Sequence, residues 1–159
     1  MSTENTENTE IVLDTLDELT ALVGRDLGAG AWLEVDQTRI DAFADATDDH
    51  QWIHTDPGRA ADGPFGGTVA HGQLTLSLLI PMWSRLIEVR EVKSKVNYGL
   101  NRVRFPAPVP AGSKVRLRAT LAAVDPVPSG VQITVDAVIE REGGDRPVCV
   151  AQAIFRFLT

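Results

Sequence analysis

Asp49 and His54 stand five positions apart in the segment Asp48-Asp49-His50-Gln51-Trp52-Ile53-His54, and a second segment, Phe65-Gly66-Gly67-Thr68-Val69-Ala70-His71-Gly72, follows closely. A carboxylate and an imidazole that converge can hold and polarise one water, one group taking its proton and the other returning one. The second segment combines glycines that permit tight turns with the start of a long apolar run. A helix beginning near His71 would present unpaired backbone N–H groups and the positive end of its dipole. Gly72 would let a ligand approach that backbone, where a thioester or acyl carbonyl could rest as it gains negative charge. Each feature also has a plainer reading. Asp48 or Asp49 could cap a turn, His54 could be an exposed loop histidine, and the glycines could serve helix–sheet packing. His71 reads more simply as a structural residue at the helix start than as a reacting group.

Composition removes several other chemistries. The chain has 159 residues, 43% of them apolar and 23% charged, enough for one domain with a proper core. Fifteen basic against 22 acidic side chains leave a net charge of −7. Such a domain repels phosphate backbones, so nucleic acid is not an expected partner. A few local Arg and Lys can still bind a phosphorylated small molecule. Of Lys93, Lys95, Arg102, Arg104, Lys114, Arg116 and Arg118, most are expected on a solvated sheet face, with a subset at a pocket mouth able to hold phosphates. Cys149 is the single cysteine, which rules out an intrachain disulfide and a thiolate metal cage, and its apolar surroundings suggest a buried, inert thiol. The three histidines form no expected metal set, because no helix signal places His50 and His54 on one face. No phosphate-binding loop, dinucleotide fingerprint or Gly-x-Ser-x-Gly elbow occurs. No apolar run reaches about 18 residues, so no membrane span is expected. Met1 to Glu10 is polar and acidic, unlike a secretion signal, and reads as a disordered tail; a cytoplasmic location follows by default.

The elements that must position these groups follow from periodicity. Ile11 to Val23 repeats apolar residues at helical spacing, with Gly24 as a C-cap. Ala31 to Val35 is a candidate strand. Asp36 then caps a helix over Gln37 to Asp45, whose stripe is Ile40, Phe43 and Ala44. Asp48 to Gly67 is rich in Gly and Pro and is expected to be mostly loop, with one helical turn near Pro57 to Ala61. From about His71 to Ile87 the chain is apolar nearly all round, which predicts a buried helix that Pro81 kinks or breaks. Four strands follow, over Val96 to Phe105, Val115 to Leu121, Val131 to Ile139 and Val148 to Leu158, the middle two alternating strictly. The short links at Asp125 to Gly130 and Glu142 to Pro147 make them antiparallel neighbours. The simplest architecture is α+β, a curved antiparallel sheet wrapped around one long central helix.

The ordered run Phe43-Ala44-Asp45-Ala46-Thr47-Asp48-Asp49-His50-Gln51-Trp52-Ile53-His54-Thr55-Asp56, then Gly63-Pro64-Phe65-Gly66-Gly67-Thr68-Val69-Ala70-His71-Gly72, resembles the MaoC-like dehydratases, the (R)-specific enoyl-CoA hydratases of hot-dog fold. Asn97-Tyr98-Gly99-Leu100-Asn101-Arg102-Val103-Arg104-Phe105-Pro106 is similar to the nodulation protein N-like branch of single-hot-dog hydratases. The resemblance runs from about Leu16 to the C-terminus and implies a single hot-dog domain over 11–159. It implies that Asp49 and His54 activate water for syn addition to a trans-2-enoyl-CoA, giving an (R)-3-hydroxyacyl-CoA reversibly. It assigns the N–H of Gly72 to the thioester carbonyl, and it implies a homodimer and no consumed cofactor.

Physically, water adds to carbon three only if the carbonyl can accept charge as an enolate, so an oxyanion donor is required beside the base. Trp52, Phe65 and Val69 are placed in sequence to line an apolar acyl slot, and Gln51 and His71 to contact the ligand. The sequence departs from the family in places. Many relatives carry Asn-Pro at Gln51-Trp52, where the larger Trp52 would restrict the acyl chain. A hydroxyl that some members carry further along the central helix is replaced by Ile80. A hot-dog thioesterase, with carboxylate-activated water attacking the carbonyl carbon, is one alternative. A non-catalytic acyl-CoA or acyl-carrier binding protein is another, and the presence of both Asp49 and His54 speaks against it.

Overall fold

Strict alternation decides most of this architecture. In the computed structural model, which describes residues 11–159, the chain forms strand β1 (Ile11–Leu13), a 3-10 helix (Leu16–Leu22), and strands β2 (Asp26–Ala29) and β3 (Leu33–Val35). Helices α1 (Gln37–Thr47), α2 (Trp52–Thr55), α3 (Pro57–Ala61), α4 (Gly72–Ser77) and α5 (Leu79–Leu86) follow, then β4 (Ile87–Val89), β5 (Ser94–Arg104), β6 (Ser113–Val127), β7 (Gly130–Arg141) and β8 (Cys149–Leu158). The expectation for residues 1–10 lies outside the described residues.

The sheet runs β2-β6-β7-β8-β5, with β3 also on β6, and every pairing in it is antiparallel. The inward residues are those the alternation picks out: Val115, Leu117 and Leu121 face the core from β6, Ile133, Val135 and Ile139 from β7, and Phe155 and Phe157 from β8. The register aligns them, with Leu117 opposite Ile139, Leu121 opposite Val135 and Ile133 opposite Phe155. The sheet closes on α5, whose Leu79, Met82, Trp83 and Leu86 are all buried. Trp83 stacks on Phe155 with ring centroids 5.8 Å apart. This is the α+β, hot-dog arrangement expected of a curved sheet around a central helix. No described helix is long and apolar enough to cross a membrane.

The central helix is not continuous. It breaks at Leu78, three residues before Pro81, dividing α4 from α5. The ring of Pro81 removes the donor to the carbonyl four residues back, at Ser77, and crowds that carbonyl. The disruption therefore falls one turn upstream of the proline itself.

The helix expected over Ile11 to Val23 is a correction. The β-branched pair Ile11 and Val12 instead forms β1, paired in parallel with β4, Ile11 opposite Ile87. Leu16, Leu19 and Leu22 are spaced by threes, which stacks them on one side of a 3-10 helix. Thr15 and Glu18 form a capping box at its start, with the Thr15 N–H donating to the Glu18 carboxylate at 2.9 Å. The expected link at Asp125 to Gly130 shrinks to Pro128 and Ser129, because β6 continues through Val127. Ser129 takes φ 65°, and a Cβ at Gly130 would lie 1.9 Å from the Phe157 carbonyl oxygen, so only glycine fits there.

Helix α1 starts where Asp36 accepts from the Arg39 N–H at 2.8 Å and ends where Asp48 turns left-handed at φ 59°. His50 then reaches back to Asp45 in the last turn, with Nε2 2.9 Å from the carboxylate. That hydrogen bond is the main cause holding the His50 pKa above its ordinary value. Cys149 is buried, and burial pushes its thiol up to about 11, as expected of an inert core cysteine.

Two outcomes follow. Trp83→Ala should cost about 3–5 kcal/mol in urea unfolding. Trp83→Phe should cost far less, because the buried Trp83 Nε1–H has no partner among the described residues and phenylalanine removes that donor. For His50, the folded pKa lies above the unfolded one. Its stabilising contribution is therefore full below the ordinary histidine pKa and is lost as pH rises through the folded value. An NMR titration should place the His50 midpoint above the ordinary value, and Asp45→Asn should return it; an unchanged midpoint in that variant would remove the pairing as the cause.

Candidate active site

A left-handed residue sets up the site. Asp48 at φ 59° reverses the chain after α1, and the exposed Asp49 follows, with a carboxylate oxygen within 4.8 Å of a His54 ring nitrogen. Of the two aspartates, Asp48 is the turn former. Four residues beyond His50, the chain closes the single turn of α2, where Gln51 C=O accepts from the His54 N–H at 2.9 Å. His54 thus lies on a short helix and not in the loop expected over Asp48 to Gly67. The helix sends His50 outward to Asp45 and His54 into the core, where it is 7% exposed.

The orientation of His54 follows from one bond. Its Nδ1 donates to the Val69 carbonyl at 2.6 Å, which leaves the lone pair on Nε2. His71, 3% exposed at the start of α4, lies face to face with it, ring centroids 3.9 Å apart at 26°. His71 Nε2 donates to the Asp49 backbone carbonyl at 2.9 Å, so His71 ties down the residue that bears the carboxylate. Phe43 of α1 packs against the other side of the His71 ring at 4.9 Å.

Donor atoms of Asp49, His54 and His71 all lie within 4.8 Å of one another. One metal ion bound in plane by both rings would have to sit in both ring planes, and a face-to-face stack keeps those planes apart. Acid/base work has no such requirement. A water between the Asp49 carboxylate and His54 Nε2 needs only two hydrogen bonds.

Beside this cluster is a cavity of about 400 Å³, lined by His54, Phe65, Val69, Gly72, Thr75 and Phe105, with the segment Pro106 to Val109 completing the wall. Phe65 is 48% exposed at its rim and Val69 is buried. Gly72 is the first residue of α4, so its N–H has no partner within the helix. The Phe105 ring lies directly on it: a Cβ at Gly72 would come within 2.9 Å of that ring.

Trp52 is outside that lining. The Arg59 guanidinium lies 4.4 Å over its ring, and Gly63 packs so close that a Cβ would come within 2.9 Å of Trp52. It anchors α3 to α2. Gln51 is exposed at the α2 N-cap position. Among the basic residues of the sheet, Arg116 pairs with Glu140 and lies over Trp32, and Arg118 pairs with Asp26. Those two belong to the solvated face.

Sequence reasoning missed Gln37, Thr68, Thr75 and Phe105. Thr75 lies three positions beyond Gly72, one turn along the same helix face, and that spacing was available. Phe105 was visible only as the end of a strand. Gln37 and Thr68 are 31 positions apart and only folding brings them together.

With this geometry in place, the comparisons are direct. The family pattern described as the MaoC like domain matches residues 18–143. The chain is 48% identical over 146 residues to 3-hydroxyacyl-thioester dehydratase Z of Mycobacterium tuberculosis, covering 91% of this chain and 97% of that protein. It is 46% identical over 143 residues to nodulation protein N of Rhizobium leguminosarum bv. viciae, covering 88% and 89%. Among solved structures it is similar in fold to the R-hydratase PhaJ1 from Pseudomonas aeruginosa, with TM-score 0.70, 18% identity and coverage of 86% and 81%. The (R)-hydratase from A. caviae gives TM-score 0.69 at 22% identity, covering 85% and 96%. The match of the family pattern across most of the folded chain, and the two relatives over nearly their full lengths, place the sequence: the chain belongs to the MaoC-like dehydratases.

Proposed function

We propose that the protein is an (R)-specific enoyl-CoA hydratase, interconverting a trans-2-enoyl-CoA and water with an (R)-3-hydroxyacyl-CoA. The observation that carries this reading is the convergence of the Asp49 carboxylate with the buried His54 ring, within 4.8 Å, beside an apolar cavity that Gly72 also lines. The 48% identity to a protein named as a 3-hydroxyacyl-thioester dehydratase supports the thioester class and the reverse direction of the same reaction.

The steps follow from the tautomer. Water lies between Asp49 and His54, and Nε2 takes one of its protons as oxygen bonds to carbon three. The electron pair of the double bond moves onto the carbonyl oxygen, where the Gly72 N–H receives the enolate. The enolate then collapses, and carbon two takes the proton back from Nε2. One face of the substrate meets both the water and the returned proton, so addition is syn. Asp49 holds the second hydrogen of the water and offsets the positive charge on His54 while it lasts. Phe65, Val69 and Phe105 give the acyl chain its apolar surroundings. Nothing in this scheme requires a metal or an organic cofactor.

The second copy of a homodimer is assigned here to β5. This edge strand exposes Val96, Tyr98 and Leu100 in succession, at 42%, 56% and 47%. An unpaired edge carrying apolar side chains invites pairing with another chain. Light scattering should give twice the chain mass of 17.2 kDa, and Leu100→Asp should halve it. A monomeric wild type would reject this assignment without touching the chemistry.

The deciding assay follows loss of the conjugated-enoyl absorbance of crotonyl-CoA, with a stereospecific 3-hydroxyacyl-CoA dehydrogenase reading the configuration of the product. Absorbance should fall rapidly and the product should be (R). Asp49→Asn should abolish turnover with folding intact, because the amide keeps the shape and loses the negative charge. His54→Ala should lose several orders of magnitude, of which the general-base term alone is about 10²–10⁴. Release of free CoA would move the assignment to a thioesterase. Binding without turnover would move it to an acyl-CoA carrier.

A further inference from the structure

We infer that Gln37 and Thr68 are positioning residues for His54, gripping the one-turn helix that carries it and the strip whose carbonyl sets its tautomer. The inference rests on the reading of His54 as the base of the proposed reaction. Neither residue is assigned a role by the scheme above, and neither lines the cavity.

The need for such a device is physical. Helix α2 has four residues, and an isolated turn of helix has no stability of its own in water. Its side chain must nevertheless hold a proton-transferring nitrogen in place, where an error of about 1 Å costs roughly a hundredfold in rate. Something outside α2 has to fix it.

Gln37, the first residue of α1, does so through both ends of its amide. Its Nε2 donates to the His54 main-chain carbonyl at 2.7 Å and to the Asp41 carboxylate at 2.8 Å. A carbonyl and a carboxylate both accept, so the two amide hydrogens are used there and Oε1 is left to face Thr68. The Thr68 hydroxyl donates to it at 2.5 Å, and Thr68 is 6% exposed.

Thr68 begins the strip that the catalytic imidazole reads. The Val69 N–H donates to the Ile53 carbonyl at 3.0 Å, and the Val69 carbonyl accepts from His54 Nδ1 at 2.6 Å. On its far side the strip is tied to the Val109 to Ala111 segment. Ala70 N–H donates to Val109 at 2.8 Å, and Ala111 N–H donates to Thr68 at 2.9 Å. His54 is thus held at two points: its backbone by Gln37 and its ring by Val69. The Gln37–Thr68 bond ties those two points into one unit. Without it the amide loses the donor that faces Oε1, and the strip is left tied to α2 only through Val69, by its N–H to Ile53 and its carbonyl to the His54 ring.

The test compares four proteins: wild type, Thr68→Val, Thr68→Ser and Gln37→Glu. Valine keeps the shape of threonine and removes the hydroxyl, serine keeps the hydroxyl, and glutamate sets an oxygen against the His54 carbonyl and Asp41. With crotonyl-CoA, Thr68→Val and Gln37→Glu should lose about 10- to 100-fold in kcat with KM within about twofold, and Thr68→Ser should recover most of the rate. Long-range nitrogen NMR of the imidazole, with no substrate present, should show His54 protonated at Nδ1 in the wild type and in Thr68→Ser. The two damaging variants should show a raised Nε2–H population. If they fold and keep both the wild-type tautomer and the wild-type kcat, the inference is overturned. It is equally overturned if Thr68→Ser is as impaired as Thr68→Val, or if KM alone changes. Should Thr68→Val not fold, Gln37→Glu, on the partly exposed side of the pair, decides by the same two readouts. A tautomer shift in a protein whose wild type never hydrates the substrate would sink the hydratase reading and leave the positioning role standing.

Discussion

A buried imidazole has to place both of its nitrogens, and the surroundings of His54 are organised by that demand. Nδ1 is satisfied by a backbone carbonyl, which commits the ring to one tautomer with the lone pair on Nε2. A backbone acceptor is a good choice for this task. It cannot change rotamer, it cannot titrate, and its place is fixed by whatever holds the main chain. Here the main chain is the Thr68 to Ala70 strip, bonded to α2 on one side and to residues 109–111 on the other. On the proposed reading, the chemistry of the site therefore depends on a short extended segment that itself carries no reacting side chain.

The sheet supplies the rigidity that such a segment needs. Strands β6, β7 and β8 form one antiparallel ladder with fully buried inner faces, and they fix α5 through Trp83 and its neighbours. Gly72 opens α4, one short helix upstream of α5, and lines the cavity. Phe105 completes this arrangement, since its ring rests on Gly72 where any Cβ would collide. Glycine is required here by packing and, on the proposed reading, by substrate approach.

The amino-acid sequence made the scaffold legible wherever one interaction dominated. Alternation in β6 and β7 is a direct record of one buried face, and both strands run past their expected ends, β6 over Ser113–Val127 and β7 over Gly130–Arg141. The helix α1 was legible because its cap, Asp36, is local. The segment from Ile11 was not, because what makes β1 a strand is its partner β4, 76 positions on at Ile87. A spacing of three between leucines fits a 3-10 helix as well as one flank of an α-helix, and periodicity does not separate them. At the site, the loop histidines were visible by type, but their fates differ for a tertiary reason. His50 finds Asp45 within α1's last turn, and His54 finds a carbonyl 15 positions away. Trp52 reads as a pocket aromatic by proximity in sequence, yet Arg59 and Gly63 hold it against α3. Gln37 and Thr68 carry no motif, since a glutamine and a threonine acquire meaning only from the geometry between them.

The stack of His54 on His71 sets a limit on how the site can carry charge. Two imidazoles with centroids 3.9 Å apart share one positive charge with little difficulty and a second only at high Coulombic cost in a desolvated setting. The His71 Nε2–H is already engaged with the Asp49 carbonyl. On the proposed reading, a proton that His54 takes from water places its charge between the stacked His71 ring and the Asp49 carboxylate. Asp49 is an exposed residue and the imidazoles are buried, so on the proposed reading the carboxylate lies on the solvent side of the site and the base lies inside it. On that reading, the carboxylate belongs in a loop open to water and the base on a pinned helix turn.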